Sequence, residues 1–372
     1  MIRGESFELW DRGTPMPSLE GVPYLDRVTH VYVHRACEEY HFLHGAAIAH
    51  HEGVLFTSWE NSPIYENSSG ATLRGRRSHD NGLTWGDVEV IAPELEGDER
   101  HSHGAFLSHQ GKLWAFASRY GGLREVRFNP DVAFPDIRTE AFVLDEQTDR
   151  WESQGTVAGD IYPYDEPMRM DDGNWIMAGM NSLTYPVVAI SHGDDFTSWD
   201  TVAIPAPDRF YFNALSGFAA ICVAETTVIP EGDEVLAYIR PQKPNWDPVV
   251  LVSVSKDFGR TWSEIRESNF SAHMTKVYAG KLSTGQRYLI ANQGNNRHSL
   301  VIAVSRPDQK TFSKIWKIRH GLSAQPRFPG QSGKGPQWCY PYAIEHDDSL
   351  YAVYSVTKED CELSIIPLEA LS

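Results

Sequence analysis

Cationic residues are in short supply in this chain of 372 residues: 33 Lys and Arg stand against 50 Asp and Glu, a formal net charge of -17. Surfaces that hold nucleic acid or anionic membrane need a basic face. No run of Lys or Arg supplies one, so neither partner is expected. Cysteine is scarcer still. Cys37, Cys222, Cys339 and Cys361 lie far apart with no CxxC spacing, which argues against a cysteine-built zinc site and against a disulfide framework. No segment approaches the run of about 18 apolar residues that spans a membrane. The opening MIRGESFELWDRG also lacks the apolar stretch of a signal peptide. The expected compartment is the cytoplasm for a chain that begins at Met1, and the periplasm or the exterior for one that has lost a leader. Two further absences matter. No long amphipathic helical pattern is present, and the histidines show neither an HxxxH helix nor a His/carboxylate ligand spacing. No metal and no cofactor are expected.

What the chain has is a repeat. HGAAIAHHEGVLFTSW (His44 to Trp59) returns 59 residues later as HGAFLSHQGKLWAFAS (His103 to Ser118). Looser copies begin at Asp165, Glu225, Lys276 and Tyr340. Each is a half-apolar strand, a tight turn with Gly or Asp, and a second strand rich in β-branched and aromatic residues. The turn residues Gly53, Gly111, Gly173, Gly232, Gly285 and Asp348 are 58, 62, 59, 53 and 63 residues apart, by subtraction of their numbers. Between these hairpins a second pattern recurs. SHDNGLTW (Ser78 to Trp85) and SKDFGRTW (Ser255 to Trp262) both read Ser-x-Asp-x-Gly-x-Thr-Trp, and SHGDDFTSW and SRPDQKTF are weaker versions. In such a turn Asp accepts backbone N–H groups, Gly takes a positive φ, and Trp packs beneath the next strand. That role is structural.

Near-equal four-stranded units with a hairpin signature describe an all-β, six-bladed propeller of four-stranded antiparallel blades, in one domain over residues 1–372. The strand at about 29–36, THVYVHRA, is left over at the start and is expected to pair with CELSIIPL (Cys361 to Leu368), closing the last blade. In a propeller the inner strands start at one end of the axis. That places His44, His103, Asp165 or Glu166, Glu225, Lys276 and Tyr340 around one mouth. The second strands return to it with Trp59-Glu60, Arg119, Asn181, Arg240 and Asn296-Arg297. A polar rim is ordinary for any propeller; two His, three Arg, a Tyr and carboxylates at one end are the grounds for a site.

The Asp-rich hairpins and the six units resemble the sialidase superfamily over essentially the whole chain. The resemblance is closest where Glu225 opens a strand and Arg240 closes its partner, at Arg297 before a later hairpin, and at Tyr340 in WCYPYAIEHDDSLYAVYS. It implies a glycoside hydrolase acting on a terminal acidic sugar. Tyr340 would be nucleophile with Glu225 as its base, and Arg240 and Arg297 would bind the substrate carboxylate. The chain departs from the pattern where the family places Arg-Ile-Pro, since His44-Gly45-Ala46 stands there. The acid has two candidates, Glu60 and Glu66, with Glu66 the better placed ahead of the outer strands. Arg119 is a replacement cation, while Glu166 and Trp59 complete the expected sugar contacts.

Two other readings fit the same residues. A polysaccharide lyase on a uronic-acid glycan would use His44, His103 and Tyr340 for proton transfer and an Arg for the carboxylate. A non-catalytic carbohydrate-binding propeller would use the same mouth without chemistry. All three take carbohydrate as partner, and none fixes the oligomeric state.

Overall fold

Strands that bury both faces read as near-continuous apolar runs, and the inner strands here do so. Phe42–His51 is buried along almost its whole length. The computed structural model describes residues 6–66, 68–121, 134–206, 224–242, 248–328 and 334–372. They form six antiparallel sheets, whose neighbouring strands are consecutive in sequence except in the third and sixth. The first blade runs Phe42–His51, Val54–Ser62, Thr72–Ser78 and Glu89–Ala92. The second runs Arg100–His109, Lys112–Tyr120, Arg138–Asp145 and Arg150–Gly159. In the third the inner strand is broken into Tyr162–Pro163 and Met168–Arg169, both paired to Trp175–Met180, with Pro186–His192 and Asp195–Ala203 outside. The fourth opens at Thr226–Glu231, the fifth at Tyr278–Lys281 and the sixth at Trp338–His346.

Ring closure is a matter of backbone pairing. Thr29–Arg35 is the outer strand of the sixth blade, antiparallel to Asp360–Pro367, so the two ends of the chain share one sheet. Residues 6–24 then strap the outside of the fourth and fifth blades through bridges Phe7–Ser268, Trp10–Phe312 and Tyr24–Lys317. Helix is confined, among the described residues, to two short 3-10 turns, Leu19–Gly21 and Leu368–Leu371. The core lies between neighbouring blades, and each fully buried aliphatic side chain there contributes about 1.5–3 kcal/mol.

The repeated Ser-x-Asp-x-Gly hairpins join third to outer strands, away from the axis. Asp80 accepts from the backbone N–H of Thr84 at 2.8 Å and from its hydroxyl at 2.6 Å, and Asp257 does the same with Thr261. These bonds hold Asp80 down at about 2. The glycine of each hairpin has a second task. Gly82, at φ 81°, leaves no room for a Cβ against Leu363 of the sixth blade, and Gly259, at φ 79°, none against Ile176 of the third. Each hairpin is thus pressed onto the preceding blade. Gly259→Ala combines a left-handed backbone with a Cβ 2.7 Å from the Ile176 Cδ1. We predict a loss of about 2–4 kcal/mol, read as a lowered urea midpoint with an unchanged m-value.

Candidate active site

Three inner strands carry a register slip near the same end of the axis. The slips fall between His44 and Ala47, between His101 and Gly104, and between Cys339 and Tyr342. A bulge re-aims side chains and bends its strand. Here the three bulges present His44, Ser102-His103 and Tyr340 to one space. The His-Gly-Ala repeat follows from this. Gly45 has φ 61°, and a Cβ on it would stand 2.1 Å from the His103 Cγ. A Cβ on Gly104 would stand 1.7 Å from the Phe116 carbonyl oxygen. Tyr340 takes φ 57° without being glycine, directly before Pro341, where extended backbone is normally favoured. Such a conformation costs about 1–3 kcal/mol and is held only where the surroundings impose it.

One side of the space is built on Tyr340, whose hydroxyl donates to Glu225. Both Glu225 oxygens also accept from the Arg240 Nη1, at 2.8 and 2.9 Å, and that nitrogen lies 3.4 Å from the Tyr340 oxygen. Arg240 Nη2 donates to the Met274 carbonyl at 3.0 Å. Glu225 is 1% exposed, a depth at which a carboxylate persists only with a partner. Burial and the Glu225 charge push the Tyr340 phenol well above its usual range, so it is neutral. Arg297 stands 5.8 Å from the Tyr340 ring centre and donates to Gln337 at 3.2 Å. Among the described residues it has no carboxylate partner.

The opposite side holds the imidazoles. The His44 ring packs 3.9 Å from the Tyr340 ring, and its Nδ1 pairs with the Ser355 hydroxyl at 3.1 Å. Burial, with Lys358, His103, Arg297 and Arg240 around it, drives His44 well below its usual value and leaves it neutral. The His103 ring centre is 6.3 Å from that of His44 and 6.2 Å from that of Tyr340. Its Nδ1 meets the Tyr162 hydroxyl at 2.9 Å, and Glu60 lies 3.9 Å away. Beneath both sides the Lys276 ammonium, lowered to about 8 by burial against the pull of Asp165, Glu225 and Glu166, donates to the Pro341 carbonyl at 2.8 Å.

Residues 53–353 match the family described as BNR repeat-like domain. The chain belongs to the BNR repeat-like domain family. No curated protein matches it in sequence. Among solved structures, the BNR repeat-like chain is similar to a protein of unknown function from Dyadobacter fermentans DSM 18053, at 15% identity and TM-score 0.63, over 92% of this chain and 99% of that one. The intramolecular trans-sialidase from Ruminococcus gnavus, solved with oseltamivir carboxylate, is 12% identical with TM-score 0.62, over 92% and 97%. The Trypanosoma rangeli sialidase, solved with the inhibitor DANA, is 12% identical with TM-score 0.66, over 93% and 60%. The fold of this BNR repeat-like chain is therefore the six-bladed sialidase-type propeller.

The structure gathers His44, His103, Glu225, Arg240, Arg297 and Tyr340 at one mouth. Four other expected residues are placed differently. Trp59 is fully buried and stacked on His34 of the closing strand at 4.8 Å, so it offers no face to a sugar. The Arg119 guanidinium is taken up by Glu99 and by Glu140 at 2.6 Å. Glu66 is near enough for its charge to bear on Tyr340, but its carboxylate is engaged by the Lys358 ammonium at 2.6 Å. Glu166 opens toward the far end of the axis, into a hollow of about 310 Å³ shared with His50 and His346 from the other ends of their strands. Sequence reasoning missed Ser102, Tyr162, Gln337 and Tyr164, whose ring centre lies 5.0 Å from that of His103; none of them stands in a recognisable motif.

The buried neutral imidazole of His44 has a consequence for stability. Its folded value is depressed, so the unfolded chain binds the extra proton as pH falls through the unfolded value of 6.5. His30 and His34, both lowered to about 4 chiefly by burial, act in the same direction. The contribution of these three histidines is full above pH 6.5 and is lost as pH falls from there toward 4, by up to about 1.4 kcal/mol per pH unit for His44. Calorimetric midpoints should fall over that window, and less steeply in His44→Gln.

Proposed function

We propose that the protein is a sialidase-like glycoside hydrolase that releases a terminal acidic sugar through a Tyr340–Glu225 nucleophile pair. The observation that carries this reading is the Tyr340 hydroxyl donating to a Glu225 carboxylate that Arg240 fixes in place. A phenol is a weak nucleophile near neutrality, and it becomes a strong one when a carboxylate takes its proton during attack. A neutral nucleophile also suits a carbon that bears a carboxylate, which an anionic side chain would repel.

The cations divide their work. Both terminal nitrogens of Arg240 are occupied by Glu225, Tyr340 and Met274, so Arg240 positions the base. Arg297 is the group for the substrate anion, because a guanidinium without a carboxylate partner at a half-buried site favours a bidentate acidic ligand. The sequence departs from Arg at His44, and a neutral imidazole supplies hydrogen bonding there in place of charge.

One observation favours a second reading. The Nε2 atoms of His44 and His103 are both buried and without a partner among the described residues, an arrangement that also suits proton abstraction and return in an elimination from a uronate. The products separate the two. Hydrolysis adds one water to the cleaved fragments, whereas elimination leaves an unsaturated uronate that absorbs in the near ultraviolet.

Screened against sialosides, uronosides and uronic polysaccharides, the protein is expected to give a water-added product. On that substrate Tyr340→Phe and Glu225→Gln should each lower kcat/KM by about 10²–10⁴-fold with the fold retained by circular dichroism. Turnover left intact in both variants would remove the proposed roles. Arg297→Ala should raise KM for the acidic glycoside and leave KM unchanged for its neutral methyl ester. An equal rise for both would remove the assignment of Arg297.

A further inference from the structure

Glu66, the carboxyl expected to serve as proton donor, is paired with Lys358. A chain of four polar side chains on the His103 side bears on that question. Glu60 is 2% exposed. It accepts from the Ser62 hydroxyl at 2.8 Å through Oε1 and from the Ser102 hydroxyl through Oε2. Burial alone would raise its carboxyl, but the bonds and charge of His103 and the hydroxyls of Ser102 and Ser62 outweigh burial and hold it below the usual range. Glu60 is therefore an acceptor at both oxygens and has no proton to give.

The direction of the remaining bonds follows by counting hydrogens. Ser102 has one hydroxyl hydrogen, and Glu60 takes it. The close contact between the Ser102 and Tyr162 oxygens then needs the hydrogen of Tyr162, whose phenol burial keeps protonated. Tyr162 is left with only an acceptor lone pair for the His103 Nδ1 at 2.9 Å. The second contact of that nitrogen, with the Ser102 oxygen at 3.3 Å, leads to the same result. Each requires a hydrogen on Nδ1. The other nitrogen, Nε2, is buried and has no partner among the described residues, while the rings of His44 and Tyr340 lie within 6.3 Å and 6.2 Å of the His103 ring.

We infer that the one-way chain His103 to Tyr162 to Ser102 to Glu60 locks His103 with its hydrogen on Nδ1 and makes Nε2 the group that exchanges a proton with the substrate oxygen. This rests on the glycoside hydrolase reading above. In the first step the imidazolium gives its Nε2 proton to the glycosidic oxygen as that oxygen leaves carbon. The Tyr340 oxygen bonds to the same carbon, and its proton passes to Glu225. In the second step water attacks that carbon and yields a proton to the bare Nε2. The bond to Tyr340 breaks, and Glu225 returns the proton to the phenolate. The sum is addition of one water. The Glu60 charge, reached through two hydroxyls, stabilises the imidazolium that enters the first step and is restored by the second.

The state of the ring can be read without any substrate. In long-range proton–nitrogen NMR of the full chain labelled with ¹⁵N-histidine, the His103 signals being those lost in His103→Gln, neutral His103 is expected to show a protonated Nδ1 and a bare Nε2. Tyr162→Phe should weaken that preference. A bare Nδ1 in the unaltered protein would overturn the inference. On the substrate found by the screen, His103→Ala should lose about 10²–10⁴-fold with an alkyl leaving group and under about 10-fold with a 4-nitrophenyl one, which departs without a proton. Equal losses with both leaving groups would overturn the acid role. Full turnover in Tyr340→Phe would instead overturn the hydrolase reading, and the NMR outcome distinguishes that case.

Discussion

A carboxylate buried at the axis of a propeller has to be neutralised by something equally fixed, and the rest of this structure is arranged around that requirement. Glu225 stands at the start of the fourth blade, Arg240 at the end of the strand paired with it, and Tyr340 in the sixth blade. Withdrawing two charges from water costs several kcal/mol per ion, which the pair offsets only through close geometry and further hydrogen bonds. Arg240 Nη2 meets the Met274 carbonyl for that reason, and the Tyr340 hydroxyl adds a second donor to the Glu225 Oε1. The left-handed turn at Tyr340 belongs to the same arrangement. Extended backbone before Pro341 would carry the ring along the strand; the bulge turns it to the carboxylate.

The two sides of the mouth are electrostatically unlike. The Tyr340 side carries a compensated ion pair and one guanidinium, Arg297, without a carboxylate partner among the described residues. The histidine side carries a neutral His44 and a His103 tied to the charge of Glu60 through two hydroxyls. Exchanging an arginine for His44 removes one fixed charge from a space that already holds Arg240, Arg297, Lys358 and the His103 ring, all of which oppose a proton on His44.

Much of this was legible in the sequence, because a period of about 59 residues and a Ser-x-Asp-x-Gly hairpin are local signals that depend on turn chemistry alone. The convention that inner strands begin at one end of the axis was enough to select His44, His103, Glu225 and Tyr340. It failed wherever a single residue decides which face is presented. Trp59 and Glu60 are neighbours on one strand, so they point to opposite faces. The indole went to His34, and the carboxylate, ranked behind Glu66 in the sequence, went to Ser102. Arg119 and Ser118 divide in the same way, with Ser118 bonding the His103 carbonyl at 2.9 Å. Bulges add a further shift that no periodicity announces. Ser102 and Tyr162 were invisible for a different reason: they are 60 residues apart, and only the packing of the second blade on the third makes them neighbours.

The central claim is that Tyr340 is the atom donor of a covalent step. It is tested most directly by rapid acid quench during turnover of the screened substrate, followed by peptide mass mapping. The account predicts a glycosyl mass on the peptide that contains Tyr340, absent from Tyr340→Phe. A glycosyl mass on any other residue, or steady turnover with none on Tyr340, would contradict it.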